Sequence, residues 1–176
     1  MPAIRIATEA DLPAMKALMA LAIDVLQQDF LTAAQVVASR AVMGLDSQLV
    51  RDGTYFAVEE GGTLAGCGGW SRRATLYGGD HSTALRDDAL LDPARDPART
   101  RAMYTHPAFT RRGIGRLILA RCEAAAAAEG FTRMELMATM AGVPLYHAAG
   151  YREIEPVTNL VGDVPVPLIR MGKAIA

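Results

Sequence analysis

The segment Thr105-His106-Pro107-Ala108-Phe109-Thr110-Arg111-Arg112-Gly113-Ile114-Gly115-Arg116 concentrates the residue types that bind an anion. It follows the apolar run Ala102-Met103-Tyr104, which reads as the end of a strand, and it leads into an Ala-rich helix. The first N–H groups of a helix have no partner within it, and the helix dipole adds partial positive charge at that end. Gly113 and Gly115 let a phosphate approach the backbone, while Arg111, Arg112 and Arg116 add formal charge. The chemistry implied is the binding of a phosphate or pyrophosphate. A Walker A loop needs Lys and then Ser or Thr after its last glycine, but Gly115 is followed by Arg116-Leu117. A dinucleotide fingerprint needs a third glycine where this chain has Ile118, and no clear βαβ unit follows.

A second motif lies about thirty residues on, at Pro144-Leu145-Tyr146-His147-Ala148-Ala149-Gly150-Tyr151. Leu145 and Ala148-Ala149 suit the buried side of a short helix, Gly150 ends it as a left-handed cap, and Tyr151 opens a strand. Together the two motifs resemble the GNAT acetyltransferase superfamily. Its signature is Gln/Arg-x-x-Gly-x-Gly/Ala after a strand ending in Val-x-Pro, followed later by Phe/Leu-Tyr-x-x-x-Gly-Phe/Tyr. Thr110-Arg111-Arg112-Gly113-Ile114-Gly115 matches both glycine positions, and Thr105-His106-Pro107 replaces the strand end. Thr110 departs from Gln or Arg, which removes one side-chain contact to phosphate that Arg111 or Arg112 can supply. Thr105 departs from Val but keeps the β-branch.

The resemblance covers nearly the whole chain and is strongest over 101–151. It implies an α/β (α+β) fold whose mixed central sheet of about six or seven strands splays around an acyl-CoA cleft, with about four helices. It implies acetyl-CoA as cosubstrate, held by Met103, Tyr104, Thr105 and the loop of Arg111, Arg112, Gly113, Ile114, Gly115 and Arg116. It implies acetyl transfer to a primary amine of a small molecule or peptide, through a direct ternary complex and without a metal. Tyr146 then protonates the departing thiolate, and the backbone N–H of Tyr104 or a neighbour stabilises the oxyanion. The alternative is a non-catalytic acyl-CoA-binding regulatory domain of the same fold, which has no need of an acid at Tyr146. The acceptor amine is not identified, and a homodimer is left open. The amine must lose a proton to attack. Glu59, His81, His106 and His147 are the candidate bases.

The elements that position these residues follow from periodicity. A strand is expected over 4–7, with Thr8 and Asp11 forming an approximate capping box for a helix to about residue 25. Thr32 caps a second helix to about Met43, and a short helical turn spans 46–50. Strands over 54–59 and 63–71 flank the turn Glu60-Gly61-Gly62. Further strands are expected over 101–105 and 132–138, helices over 114–129 and 143–149, and a last hairpin over 151–157 and 166–173. The stretch 72–100 fits no element. A loop of that length in a compact domain is uncommon and often functional, so it is expected to line the acceptor pocket or to close over it.

The chain has 176 residues, with 51% hydrophobic and 21% charged, which suits one N-acetyltransferase domain over 1–176. A net charge of −1 argues against a general nucleic-acid binder. Cys67 and Cys122 sit apart in apolar contexts and read as buried thiols. There is no apolar run of membrane-spanning length and no signal core after Met1-Pro2-Ala3-Ile4-Arg5, so a cytoplasmic protein is expected.

Overall fold

The computed structural model describes residues 1–175. Its centre is a seven-stranded sheet in the order β1-β2-β3-β4-β5-β7-β6. The strands are β1 (Ala3–Ile6), β2 (Tyr55–Glu60), β3 (Thr63–Ser71), β4 (Ala98–Thr105), β5 (Arg133–Thr139), β6 (Arg152–Val161) and β7 (Val164–Ala174). Every neighbouring pair is antiparallel except β4 with β5. Those two are linked through α4 (Ile114–Ala128), the kind of crossover a parallel pair requires. They pair only at Ala98↔Met134 and Arg99↔Glu135, then part toward their C-terminal ends. The sheet is therefore split at its centre.

Helices cover both faces. On one side α1 (Leu12–Leu26), α2 (Ala33–Ser39) and α3 (Ser47–Arg51) enclose Tyr55, Ala57, Cys67 and Tyr104. On the other, α4 and α5 (Val143–Ala148) cover Phe56, Val58, Met134 and Leu136. Alternate residues of β2 thus enter opposite cores, which is why Tyr55 to Val58 are all apolar. Both cysteines are buried, and burial pushes the Cys67 thiol up to about 12, so they are inert core residues. No helix among the described residues is long and apolar enough to cross a membrane.

Local sequence accounts for the helix starts. Thr32 accepts a hydrogen bond from the Gln35 N–H at 3.2 Å, and Gln35 accepts one from the Thr32 N–H at 3.0 Å. Asp11 accepts from the Thr8 N–H at 2.8 Å, leading through one 3₁₀ turn into α1.

Three boundaries differ from expectation. The helix expected to reach Met43 ends at Ser39, whose hydroxyl donates back to the Val36 carbonyl at 2.7 Å. The chain continues in tighter turns to Val42, and Gly44, at φ 130, redirects it. Strand β4 begins at Ala98, not at 101; the added segment carries the partly buried Arg99, which Glu135 neutralises, a pattern that looks like loop in a sequence. The last hairpin is longer than expected and turns at Gly162-Asp163. Its prolines are compatible with strand: Pro156 lies on the edge strand β6, and Pro165 and Pro167 precede Leu168, where pairing of β7 with β5 stops.

Candidate active site

The two sequence motifs meet in space. A side chain on Gly115, in the first turn of α4, would come within 2.6 Å of Leu145 Cδ2 on α5. The missing side chain at Gly115 thus lets α4 and α5 pack closely. The packing brings Tyr146, the next residue on α5, toward the N-terminal end of α4.

At that end Gly113 caps the helix at φ 82, and Arg111 also has a left-handed backbone at φ 60, so successive N–H groups turn inward as a nest. Leu117 is the first residue to bond within α4, its N–H donating to the Gly113 carbonyl at 3.0 Å. The N–H groups of Ile114, Gly115 and Arg116 precede it and have no intrahelical acceptor. Arg111 and Arg116 are exposed and make no ion pair among the described residues. Arg112 is already engaged, with Glu60 at 3.0 Å and the Phe109 ring at 5.0 Å. The residues present therefore fit a pyrophosphate, with two free guanidiniums instead of three.

From this cradle the open edge of β4 runs into the split in the sheet. Opposite Gly68 the β3–β4 register slips, so that Ala102 and Met103 together face one residue. Ala102 takes φ 50, a left-handed conformation that is rare for a residue with a side chain. Gly68 gives the bulge room: a Cβ on it would lie 2.3 Å from Met103 Sδ, and the Met103 side chain would have to move. The Tyr55 hydroxyl donates to the Ala102 carbonyl at 2.6 Å and holds the bulge. The His106 N–H donates to Ala65 on β3, so by strand alternation the Tyr104 N–H also faces β3 and the Thr105 N–H faces the split. Of the oxyanion donors expected from sequence, the neighbours of Tyr104 are thus better oriented than Tyr104 itself. Tyr55→Phe should leave the Ala102 carbonyl buried and unpaired, at a cost of about 1–3 kcal/mol in urea unfolding. It should also weaken acetyl-CoA binding in calorimetry, because the strained bulge loses its brace.

The split continues as a cleft between β4 and β5. Tyr146 lines it and is 8% exposed. No buried side-chain oxygen among the described residues lacks a partner. The Tyr146 hydroxyl takes none from the protein, so it opens on the cleft. Its ring meets Tyr151 edge-on at 5.9 Å, and the Tyr151 hydroxyl is 3.2 Å from Thr100 Oγ1 on β4, so both sides of the split hold it. Burial raises the Tyr146 pKa well above the ordinary tyrosine value and keeps it a phenol.

None of the four candidate bases lines the cleft. Glu59 is paired with Arg5 at 2.7 Å near the far edge of the sheet. His81 Nε2 is 2.6 Å from the Arg40 carbonyl. His106 Nδ1 accepts from the Ala108 N–H at 3.0 Å and caps a short turn. His147 is half exposed, 3.9 Å from Glu153.

The long connection, observed over 72–97, is ordered by its own short ladder: Arg73 bridges Leu90, and the Ala74 and Thr75 N–H groups donate to Ala89 and Asp87. Leu76, Tyr77 and Gly78 at its bend line the cleft. It is fastened below by Arg101, which donates to Asp46 at 2.9 Å and to the Gly78 carbonyl at 2.7 Å, and laterally by Asn159 on β6, which donates to the Tyr77 hydroxyl at 2.7 Å. Asp46, Arg101, Tyr77 and Tyr55 were not among the residues expected from sequence. Only Asp46 left a local signal there, as a helix cap, and it does accept from the Gln48 N–H at 3.0 Å.

The model of the acetyltransferase (GNAT) family matches residues 22–151. The chain belongs to this family. It is an enzyme of the N-acetyltransferase type, and its mixed seven-stranded sheet is the GNAT fold. Similar solved structures include a GCN5-related N-acetyltransferase from Rhodopseudomonas palustris, at 17% identity and TM-score 0.73, covering 99% of this chain and 96% of that one. The PaiA N-acetyltransferase from Thermoplasma acidophilum, solved with coenzyme A, is 13% identical at TM-score 0.67, with 99% of each chain covered. YncA from Salmonella typhimurium, a putative acetyltransferase solved with acetyl-CoA, is 19% identical at TM-score 0.65, covering 100% of this chain and 95% of that one. At these identities the likeness is one of fold. No protein of curated function matches the chain.

Proposed function

We propose that this GNAT enzyme transfers the acetyl group of acetyl-CoA directly to a primary amine of a small molecule or peptide. The observation that carries the reading is a continuous path from the free N–H groups of α4, along the bulged edge of β4, to the Tyr146 hydroxyl in the cleft. The pyrophosphate lies on residues 111–116, and Met103, Tyr104 and Thr105 flank the pantetheine arm. The amine nitrogen attacks the thioester carbonyl, and a nitrogen–carbon bond forms. The carbonyl oxygen becomes an oxyanion facing the Thr105 N–H, the carbon–sulfur bond breaks, and Tyr146 donates a proton to the thiolate. The proton released from nitrogen passes to water, from which Tyr146 regains the one it gave up, since no free carboxylate or imidazole reaches the cleft. Much of the rate then comes from holding the two reactants together.

Release of CoA from acetyl-CoA across a panel of amines tests this reading. Amine-dependent release supports transfer. Tight acetyl-CoA binding without amine-dependent release assigns the fold to acyl-CoA binding alone. Gly113→Asp should raise the acetyl-CoA dissociation constant at least about tenfold, because it sets an anion at the helix N-terminus and strains a left-handed position. Calorimetry on the folded variant reads this directly, and unchanged affinity removes the cradle assignment.

A further inference from the structure

Apart from Tyr146, most polar side chains that line the cleft are spent on the protein itself. Arg101 donates to Asp46 and to the Gly78 and Thr75 carbonyls. Thr100 pairs with the Tyr151 hydroxyl at 3.2 Å, and the Tyr77 hydroxyl is turned to Asn159 on β6 at 2.7 Å. Thr139 accepts from the Gly142 N–H at 3.2 Å, close to the Tyr146 ring. Tyr104 is placed differently. Its side chain is 7% exposed, its hydroxyl accepts a hydrogen bond from the Gly44 N–H at 2.8 Å, and both residues line the cleft. Gly44 is the only hydrogen-bond partner of that hydroxyl among the described residues. A phenol also carries a proton to donate, so Tyr104 has its donor left over.

That donor is both fixed and strengthened. Gly44 holds the oxygen in place, and an O–H whose oxygen already accepts a hydrogen bond becomes the better donor. Burial keeps the phenol well above the ordinary tyrosine pKa, against the pull of the Gly44 N–H and of Arg101, so the proton stays on oxygen. Tyr104 packs with Tyr55 and Cys67 on the face covered by α1 to α3, whereas Tyr146 packs on the face covered by α4 and α5. The two tyrosines thus reach the split from opposite faces of the sheet. With the thiolate leaving at Tyr146, the amine approaches the carbonyl carbon from the Tyr104 face, past Gly44 and the bend of 72–97. A donor there does not serve the attacking nitrogen, whose lone pair must stay free for carbon. It serves an oxygen elsewhere on the same molecule. Tyr104 neighbours Thr105, whose N–H faces the oxyanion, so that oxygen stands close to the amine.

We propose that the Tyr104 hydroxyl binds the acceptor molecule, donating a hydrogen bond to an uncharged oxygen a few carbons from the amine, such as an ether or the first carbonyl of a peptide. This rests on the acetyl-transfer reading above. The test compares matched amines in wild type and Tyr104→Phe: 2-methoxyethylamine with butylamine, 2-phenoxyethylamine with 3-phenylpropylamine, and glycine N-methylamide with 2-methylbutylamine. The readout is kcat/KM from CoA release. The oxygen also makes the amine less basic, an effect that cancels between the two proteins. The preference for the oxygen-bearing amine should be at least about threefold greater in wild type than in Tyr104→Phe for one pair or more, the size expected of one neutral hydrogen bond. A smaller difference in every pair overturns the proposal. That includes the case where Tyr104→Phe slows both members of a pair alike, as a structural role through Gly44 alone would do. Calorimetry should find the acetyl-CoA affinity of the variant within about threefold of wild type, and a larger loss assigns the hydroxyl to the cofactor and overturns the proposal as well. Tyr104→Met serves where Tyr104→Phe does not fold. Failure of the wild type to bind acetyl-CoA, or to turn over any of these amines, brings down the functional reading and this proposal with it. Turnover without a Tyr104-dependent preference leaves that reading standing and removes this proposal alone.

Discussion

Asp46→Ala loses about 3–5 kcal/mol of folding stability, seen as a fall in the urea midpoint with an unchanged slope. Asp46 is 1% exposed and Arg101 3% exposed, so the pair has no access to solvent. Removing the carboxylate leaves the Arg101 guanidinium in the floor of the cleft, where burial already lowers its pKa against the pull of Asp46. The same change removes the cap on α3 and one partner of Arg86. Most of the penalty comes from the stranded charge, so Asp46→Ala/Arg101→Met should recover most of the stability. The double variant should still differ in function. Arg101 donates to the Gly78 and Thr75 carbonyls, and without it the segment 72–97 loses its lower fastening. The acceptor KM should rise while acetyl-CoA affinity stays near wild type. A single-variant loss below about 1 kcal/mol would mean that those carbonyls alone satisfy Arg101.

This same pair marks where sequence reading stops. The cradle was legible because its signal is local: glycine and arginine at fixed spacing before a helix, and the φ 82 at Gly113 is a property of one residue. The Tyr146 helix was legible for the same reason, since Gly150 ends it at φ 94. The strand over 98–100 was not, because Arg99 becomes a strand residue only when Glu135, distant in sequence, neutralises it. The bulge was hidden too. Nothing local in Ala102 announces φ 50, which depends on Gly68 across the ladder and on the Tyr55 hydroxyl from the next strand over. The closeness of Gly115 to Leu145 was hidden as well, since the two lie thirty residues apart in the chain. The candidate bases were chosen by residue type, and each proved to be occupied or outside the cleft through contacts that no spacing encodes.

Tyr146→Phe should lower kcat by about 10²-fold at saturating acetyl-CoA, with the acetyl-CoA KM little changed. The ring is retained, and with it the edge contact to Tyr151, so the fold and the thioester pocket persist. Only the hydroxyl is lost, and it makes no hydrogen bond to the protein that packing would miss. General-acid assistance spans about 10²–10⁴-fold, and a CoA thiolate is a fair leaving group, so the lower end applies. The pH dependence separates this role from a base. Burial disfavours the phenolate, which raises the Tyr146 pKa, so the group stays protonated and able to donate across the working range. The ratio of wild-type to Tyr146→Phe kcat should therefore be flat between about pH 7 and pH 9, whereas a tyrosinate base would make it climb with pH. Pre-steady-state release of CoA ensures that chemistry is the step measured. An equal rate constant for that step in the two proteins would assign Tyr146 to packing alone.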